Sequence, residues 1–194
     1  MAVGRQRLLE AAIRLIRERG YASTTVDDLC AEAEVAKGSF FHHFEDKEAL
    51  AVAAANYWSA KADALHAAAP YHKLRDPLDR VLGYIDFRKA ILKGDVPEFS
   101  CLIGTLVQEV YRSNPAIRAA CEASICSHAA VLELDIARAM KLHGVRAKWT
   151  AASLAMHTQA VLQGAFILAK AEGGAEVAVA SIDHLYRYVE ILFR

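Results

Sequence analysis

The chain has 194 residues, zero formal net charge, 55% hydrophobic and 24% charged residues. That balance belongs to a folded globular protein and excludes a disordered one. It also lacks the basic excess that points directly to nucleic acid, so any such binding must rest on where the charges sit. Even the first 47 residues are balanced, with seven basic side chains against eight acidic ones.

The cysteines are Cys30, Cys101, Cys121 and Cys126; no pair has C-x-x-C spacing and none recurs with histidine at ligand intervals. Free thiols are expected, with no metal and no cofactor. The start of the chain lacks the apolar core of a signal peptide. No uncharged apolar run of about 18 residues is read, so no membrane span is expected and the cytoplasm is the expected compartment.

Leu8, Leu9, Ala12, Ile13 and Ile16 recur at helical spacing from Arg5 to Arg19, and Gly20 terminates that helix. Thr25 with Asp28 reads as a capping box opening a short second helix, whose Val26, Leu29, Cys30 and Ala33 share one face. A turn at Glu34-Val35-Ala36 leads to a third helix, Lys37 to Phe44, with Phe40 and Phe44 facing inward. Asp46 is a plausible N-cap for a long fourth helix from Lys47 to about Ala68, closed by Pro70. Further helices are expected over Asp76–Leu92, Phe99–Arg112, Pro115–Leu142, Thr150–Ala171 and Glu176–Phe193, separated by glycine or proline signals. No segment alternates as a strand would. The expected fold is all-α, about nine helices: a three-helix helix-turn-helix domain (1–50) joined through a long helix to a helical ligand-binding and dimerisation domain (51–194).

Two short helices joined by a tight turn, the second exposing polar groups, follow the helix-turn-helix plan, in which the second helix enters the major groove. Thr24 and Thr25 supply hydrogen-bonding groups at the start of the first of the pair. Lys37, Ser39, His42 and His43 can meet base edges and phosphates.

The run TTVDDLCAEAEVAKGSFFHHFEDKEAL, Thr24 to Leu50, resembles the DNA-binding signature of the tetracycline-repressor (TetR/AcrR-type) regulators. The resemblance implies an all-helical homodimer that represses until a ligand binds its C-terminal body. It places Lys37, Gly38 and His42 near base edges, and Thr25, Ser39, Phe41, His43 and Lys47 near phosphates. Gly38 lets the helix approach the groove closely. Three residues depart from the usual pattern. Glu34 stands where the turn has glycine, Ala36 where a serine caps the recognition helix, and Phe41 where a tyrosine bonds phosphate.

The partners implied are a palindromic double-stranded operator, a moderately apolar small-molecule effector and a second copy of the chain. The resemblance assigns the dimer to the last two helices, with Leu154, His157, Val161, Leu162 and Ala165 as one candidate stripe. Ile182, Leu185, Tyr186, Val189 and Leu192 form the other. Candidate ligand-lining residues are Tyr57, Trp58, Tyr84, Phe87, Cys101, Leu102, Gln159 and Gln163, an aromatic set with few charges. The segment EFSCLIGTLVQEV resembles a stretch in relatives that respond to electrophiles, which makes Cys101, expected two residues into its helix, a candidate sensor. His128 and His143 have no evident partners, and no nucleophile elbow, P-loop, dinucleotide glycine pattern or H-E-x-x-H is present, so no catalytic residue is assigned. An activator or a constitutive DNA-binding regulator fits the same residues.

Overall fold

The computed structural model describes residues 3–194. Among them are ten α-helices, a 3-10 turn at Pro70–Lys73 and no strand. The helices are α1 (Val3–Arg19), α2 (Val26–Glu32), α3 (Lys37–His43), α4 (Lys47–Ala67), α5 (Pro77–Ala90), α6 (Val96–Phe99), α7 (Leu102–Val110), α8 (Pro115–Leu142), α9 (Ala151–Glu172) and α10 (Glu176–Leu192). The helix expected over Phe99–Arg112 is two pieces. Cys101 takes extended backbone and becomes the N-cap of α7, so it precedes that helix and does not lie within it.

The chain forms two compact units. One runs through Asp63 and includes Ser100–Ser124; the other comprises Ala64–Phe99 and Ile125–Arg194. The units follow packing and do not divide at residue 50: α7 lies against α1, which draws Ser100–Ser124 to the N-terminal helices.

In the first unit α1 packs on α2, α3 and α7. The predicted stripe of α1 is buried, with Leu8, Leu9 and Ala12 fully so. Leu29 and Cys30 of α2, Phe40 of α3, Leu50 of α4 and Leu106 of α7 complete this core. Phe40 lies 6.0 Å from Phe44, ring to ring, so α3 is anchored by one face only. Gly20 takes φ +89° and ends α1, a conformation that disfavours any side chain.

In the second unit α10 packs on α9 and α5. Thr150 and Ser153 form a reciprocal capping box at the start of α9, and Gly173 ends that helix in the left-handed region at φ +72°. Six of the residues expected at the dimer contact lie in this core. Leu154, Leu162, Ala165, Ile182, Leu185 and Val189 are buried within the single chain. A side chain already covered by its own protomer has no surface left for a partner, so that part of the stripe is corrected. His157 is exposed, and Val161, Tyr186 and Leu192 are half-buried. The face of α9–α10 that remains open carries Met156, Ile167, Leu168, Tyr188 and Ile191. Apolar residues on both faces make α9 long and apolar enough to cross a membrane by length and composition, a property the sequence reading missed.

Truncating the fully buried Phe40 to alanine should remove the anchor of α3. The expected destabilisation is about 3–5 kcal/mol, read from urea unfolding followed by helical circular dichroism.

Candidate functional site

The turn between α1 and α2 is held from two sides. The Glu109 carboxylate accepts the backbone N–H of Tyr21 and of Ala22, each at 2.6 Å. The Lys47 ammonium donates to the carbonyls of Tyr21 and Thr24, both at 3.0 Å, and sits 4.1 Å from the Tyr21 ring centre. Lys47, expected to reach a phosphate, is therefore engaged in fixing this turn. Thr24, also expected at the DNA face, is only 1% exposed and donates its hydroxyl to the Gly20 carbonyl, so its side chain is corrected to a structural role. Thr25 remains exposed. It forms the predicted capping box: the Asp28 N–H donates to Thr25 Oγ1 at 3.1 Å and the Thr25 N–H donates to the Asp28 carboxylate at 2.9 Å. The Thr25 hydroxyl, donating to the Asp28 carboxylate at 2.6 Å, and then the Thr25 N–H, with Arg19 alongside at 3.1 Å, hold the Asp28 carboxyl below its usual pKa.

Downstream, Glu34 adopts φ +52°, the left-handed conformation expected of glycine at this turn. Its carboxylate lies 3.7 Å from Arg7. Ala36 is the N-cap of α3 and supplies no side-chain cap. Lys37, Gly38, Phe41 and His42 are exposed along the outer edge of α3, Phe41 at 54%. Ser39 and His43 are half-buried against the start of α1, where a Cβ on Gly4 would meet each at 3.4 Å. A Cβ on Gly38 would meet nothing within 4 Å. A helical glycine is disfavoured by roughly 0.5–1 kcal/mol against alanine, and nothing within this chain requires one there.

Charge on this unit is arranged in pairs. Lys37 contacts Asp27 at 2.7 Å, Arg7 contacts Glu34, Arg19 contacts Asp28, and Arg14 pairs with Glu32. All involve largely exposed groups, a setting in which ion pairs are weak and exchangeable. Arg5 instead lies over the Phe44 ring at 5.3 Å. The module thus carries no excess of positive charge, and Lys37, Arg7, Arg19 and Arg14 are each held by a carboxylate of the same module.

The candidate ligand residues fall in both units. Tyr57 donates to Glu10 at 3.3 Å and Trp58 lies under the Arg17 guanidinium at 4.8 Å, so both are tied to α1. Leu102 is core of the first unit. Cys101 is half-buried, and the nearby Cys121 thiol is pushed up to about 12, chiefly by burial and then by Cys101. In the second unit the structure brings Tyr84 and Gln159 together: the Gln159 amide donates to Tyr84 Oη at 3.1 Å. The same phenol is hydrogen-bonded to His128 Nε2 at 2.9 Å. The His66 ring stacks edge-on at 4.5 Å from His128 and 5.5 Å from Phe87, and Tyr71 lies 5.9 Å from Phe87. Gln163 is half-buried one turn beyond Gln159. Sequence reasoning missed His66 and Tyr71 here, and left His128 without its partner. It also left His143 unpaired, whereas His143 Nε2 lies 2.9 Å from the Asp76 carboxylate.

Burial, with Arg88 and His66 adding to it, brings the His128 pKa down to about 3 from 6.5. The imidazole is neutral at neutral pH and hydrogen-bonded to the Tyr84 phenol. The unfolded chain therefore holds the extra proton between these two values. Stability from this residue is complete above about pH 6.5 and falls as pH drops toward 3, by at most about 1.4 kcal/mol per unit. Replacing His128 with glutamine should flatten that slope between pH 6.5 and 5 in urea titrations. Separately, Glu34→Gly should raise stability by about 0.5–1 kcal/mol, because the left-handed conformation ceases to be strained; a drop in the urea midpoint would contradict this.

Comparison with known proteins agrees with this geometry. Residues 8–54 match the family described as bacterial regulatory proteins, tetR family, and residues 77–177 match the C-terminal domain of LmrA/YxaF-like transcriptional regulators. The HTH-type transcriptional regulator LmrA of Bacillus subtilis is 30% identical over 137 residues, covering 66% of this chain and 69% of LmrA. The HTH-type transcriptional repressor DhaR of Mycobacterium sp. is 52% identical over 46 residues, 24% of this chain and 23% of DhaR. The chain likewise spans just 19% of the B. subtilis regulator YerO, so these two likenesses are confined to about a fifth of each relative's length. A TetR transcriptional regulator from Chloroflexus aurantiacus superposes with a TM-score of 0.84 at 26% identity, covering 96% of this chain and 94% of that one. With both halves matched, the first by its helix-turn-helix and the second by its helical body, this chain belongs to the TetR family of bacterial transcriptional regulators.

Proposed function

We propose that the protein is a ligand-responsive transcriptional repressor that binds a palindromic operator as a homodimer. Residues 1–50 read DNA, and residues 51–194 sense the effector and dimerise. The observation that carries this reading is the outer edge of α3. Lys37, Gly38, Phe41 and His42 are exposed together on a helix anchored from behind by Phe40. An unneeded glycine among them leaves room for close approach by a groove. Thr25 and the half-buried Ser39 and His43 flank this edge as phosphate contacts. Lys47 and Thr24 act one step back, by setting the turn that aims α2. Relatives named as repressors favour repression over activation, and the absence of a catalytic constellation in the sequence favours a regulator over an enzyme.

The homodimer is assigned to the open face of α9–α10. His157, Val161, Gly164 and Leu168 follow the i, i+4, i+7, i+11 pattern, and His184, Tyr188 and Ile191 continue it on α10. Gly164, like Gly38, has nothing within 4 Å of an added Cβ, which suits close approach by a second copy. Two-fold pairing is needed to present two recognition helices about 34 Å apart. A moderately apolar effector bound in the second unit would release the operator by favouring a dimer geometry that misfits successive grooves.

Exchanging Lys37 and His42 together for alanine should abolish specific operator binding in a mobility-shift titration while leaving the unfolding midpoint unchanged; retained operator binding would refute the reading. Gly38→Ala should act in opposite directions, raising stability by about 0.5–1 kcal/mol and weakening operator binding. Asp27→Asn, which frees Lys37 from its carboxylate, should tighten binding a few-fold at low salt and less at high salt. Leu168→Glu with Tyr188→Glu should yield monomers by sedimentation and lose the operator with them.

A further inference from the structure

The basic side chains of α5 are treated unequally by the fold. Arg80 meets Asp135 at 2.8 Å, and Lys89 meets Asp183 at 2.7 Å and Asp86 at 3.2 Å. Arg88, half-buried on the same helix, has no carboxylate within 4.0 Å among the described residues. Its Nε is buried and has no hydrogen-bond partner among those residues, and its guanidinium lies 5.7 Å from the Phe166 ring centre. The charge is felt by the side chains described above: it helps to lower the pKa of His128 and opposes the rise at Tyr71. Asp135, which also acts on Tyr71, is already committed to Arg80. The second unit therefore holds a partly desolvated cation beside aromatic rings and neutral hydrogen-bonding groups, while the nearby carboxylates of Asp86, Asp135 and Asp183 pair with other cations. An unpaired cation in such surroundings is unfavourable, and an oxyanion held by two parallel N–H bonds relieves it.

We propose that the second unit binds a monocarboxylate with an aromatic or short apolar body, with Arg88 as the counter-charge and the rings of Tyr71, Phe87 and Phe166 taking the body. This rests on the reading that the unit senses a small molecule. One free guanidinium matches one negative charge; a phosphate dianion would need a second cation, and Lys89 is already paired. Tyr84 and Gln159 supply neutral polar contacts beside it.

The test is calorimetric titration of the full-length protein with 3-phenylpropionate and, as a matched neutral probe, 3-phenylpropionamide. The acid should bind about tenfold or more tightly than the amide. Arg88→Met should erase that preference and Arg88→Lys should retain part of it, both variants keeping the wild-type helical spectrum. Arg88→Met should also raise the thermal midpoint of the ligand-free protein, since it removes an unpaired charge and keeps the volume; a structural arginine would give the reverse. Equal binding of acid and amide, survival of the preference in Arg88→Met, or no acid binding up to about 10 mM would overturn the proposal. Amide binding without acid preference, coupled to operator release, would overturn the charge assignment and leave small-molecule sensing standing. Failure of every acid and neutral aromatic compound to bind or to release operator would remove both.

Discussion

The DNA-reading geometry depends on how the turn between α1 and α2 is fixed. Two residues far apart in the chain meet there, Glu109 receiving two backbone N–H groups and Lys47 donating to two carbonyls. Backbone groups in a turn must find partners when water is excluded, and charged partners make the strongest bonds. The turn sets where Thr25 caps α2, and α2 in turn carries the apolar residues against which α3 packs. A carboxylate and an ammonium thus fix the turn from which α2, and through it α3, is positioned. Gly20 belongs to the same device: a Cβ there would come within 3.0 Å of the Glu109 carboxylate.

Local signals in the sequence carried most of the fold. The capping box at Thr25, the stop at Gly20 and the start at Pro115 all act over a few residues, and the helices begin and end where they indicate. The left-handed Glu34 and the uncapped Ala36 were equally readable, because each is a departure at a position whose chemistry is known. What escaped reading depends on contacts between distant residues. The Lys47 ammonium looks like a phosphate contact until the turn it holds is seen, and Thr24 looks polar and available until its burial is seen. The bonds joining Tyr84 to His128 and Gln159 cross 44 and 75 residues, and no spacing rule links them. On α9 and α10 both faces are apolar, so periodicity alone could not say which was core.

Helical glycines at 38 and 164 share a property. Neither is demanded by a positive φ or by a neighbour in its own chain, and each lies on a face assigned to an external partner. The half-buried Arg88 is a comparable case in charge instead of volume. Natural sequences forgo local stability where a binding surface requires it, and the proposed DNA, dimer and ligand surfaces each contain one such position.

The pairing of Lys37, Arg7, Arg19 and Arg14 with carboxylates of their own module bears on how an operator is found. Bound carboxylates act as internal counter-ions, so random duplex gains little by displacing them. Discrimination comes to rest on groove fit and base edges, with electrostatic attraction reduced to a minor share. On the proposed reading, cations held this way would give duplex binding a shallower salt dependence than a basic surface of the same fold would.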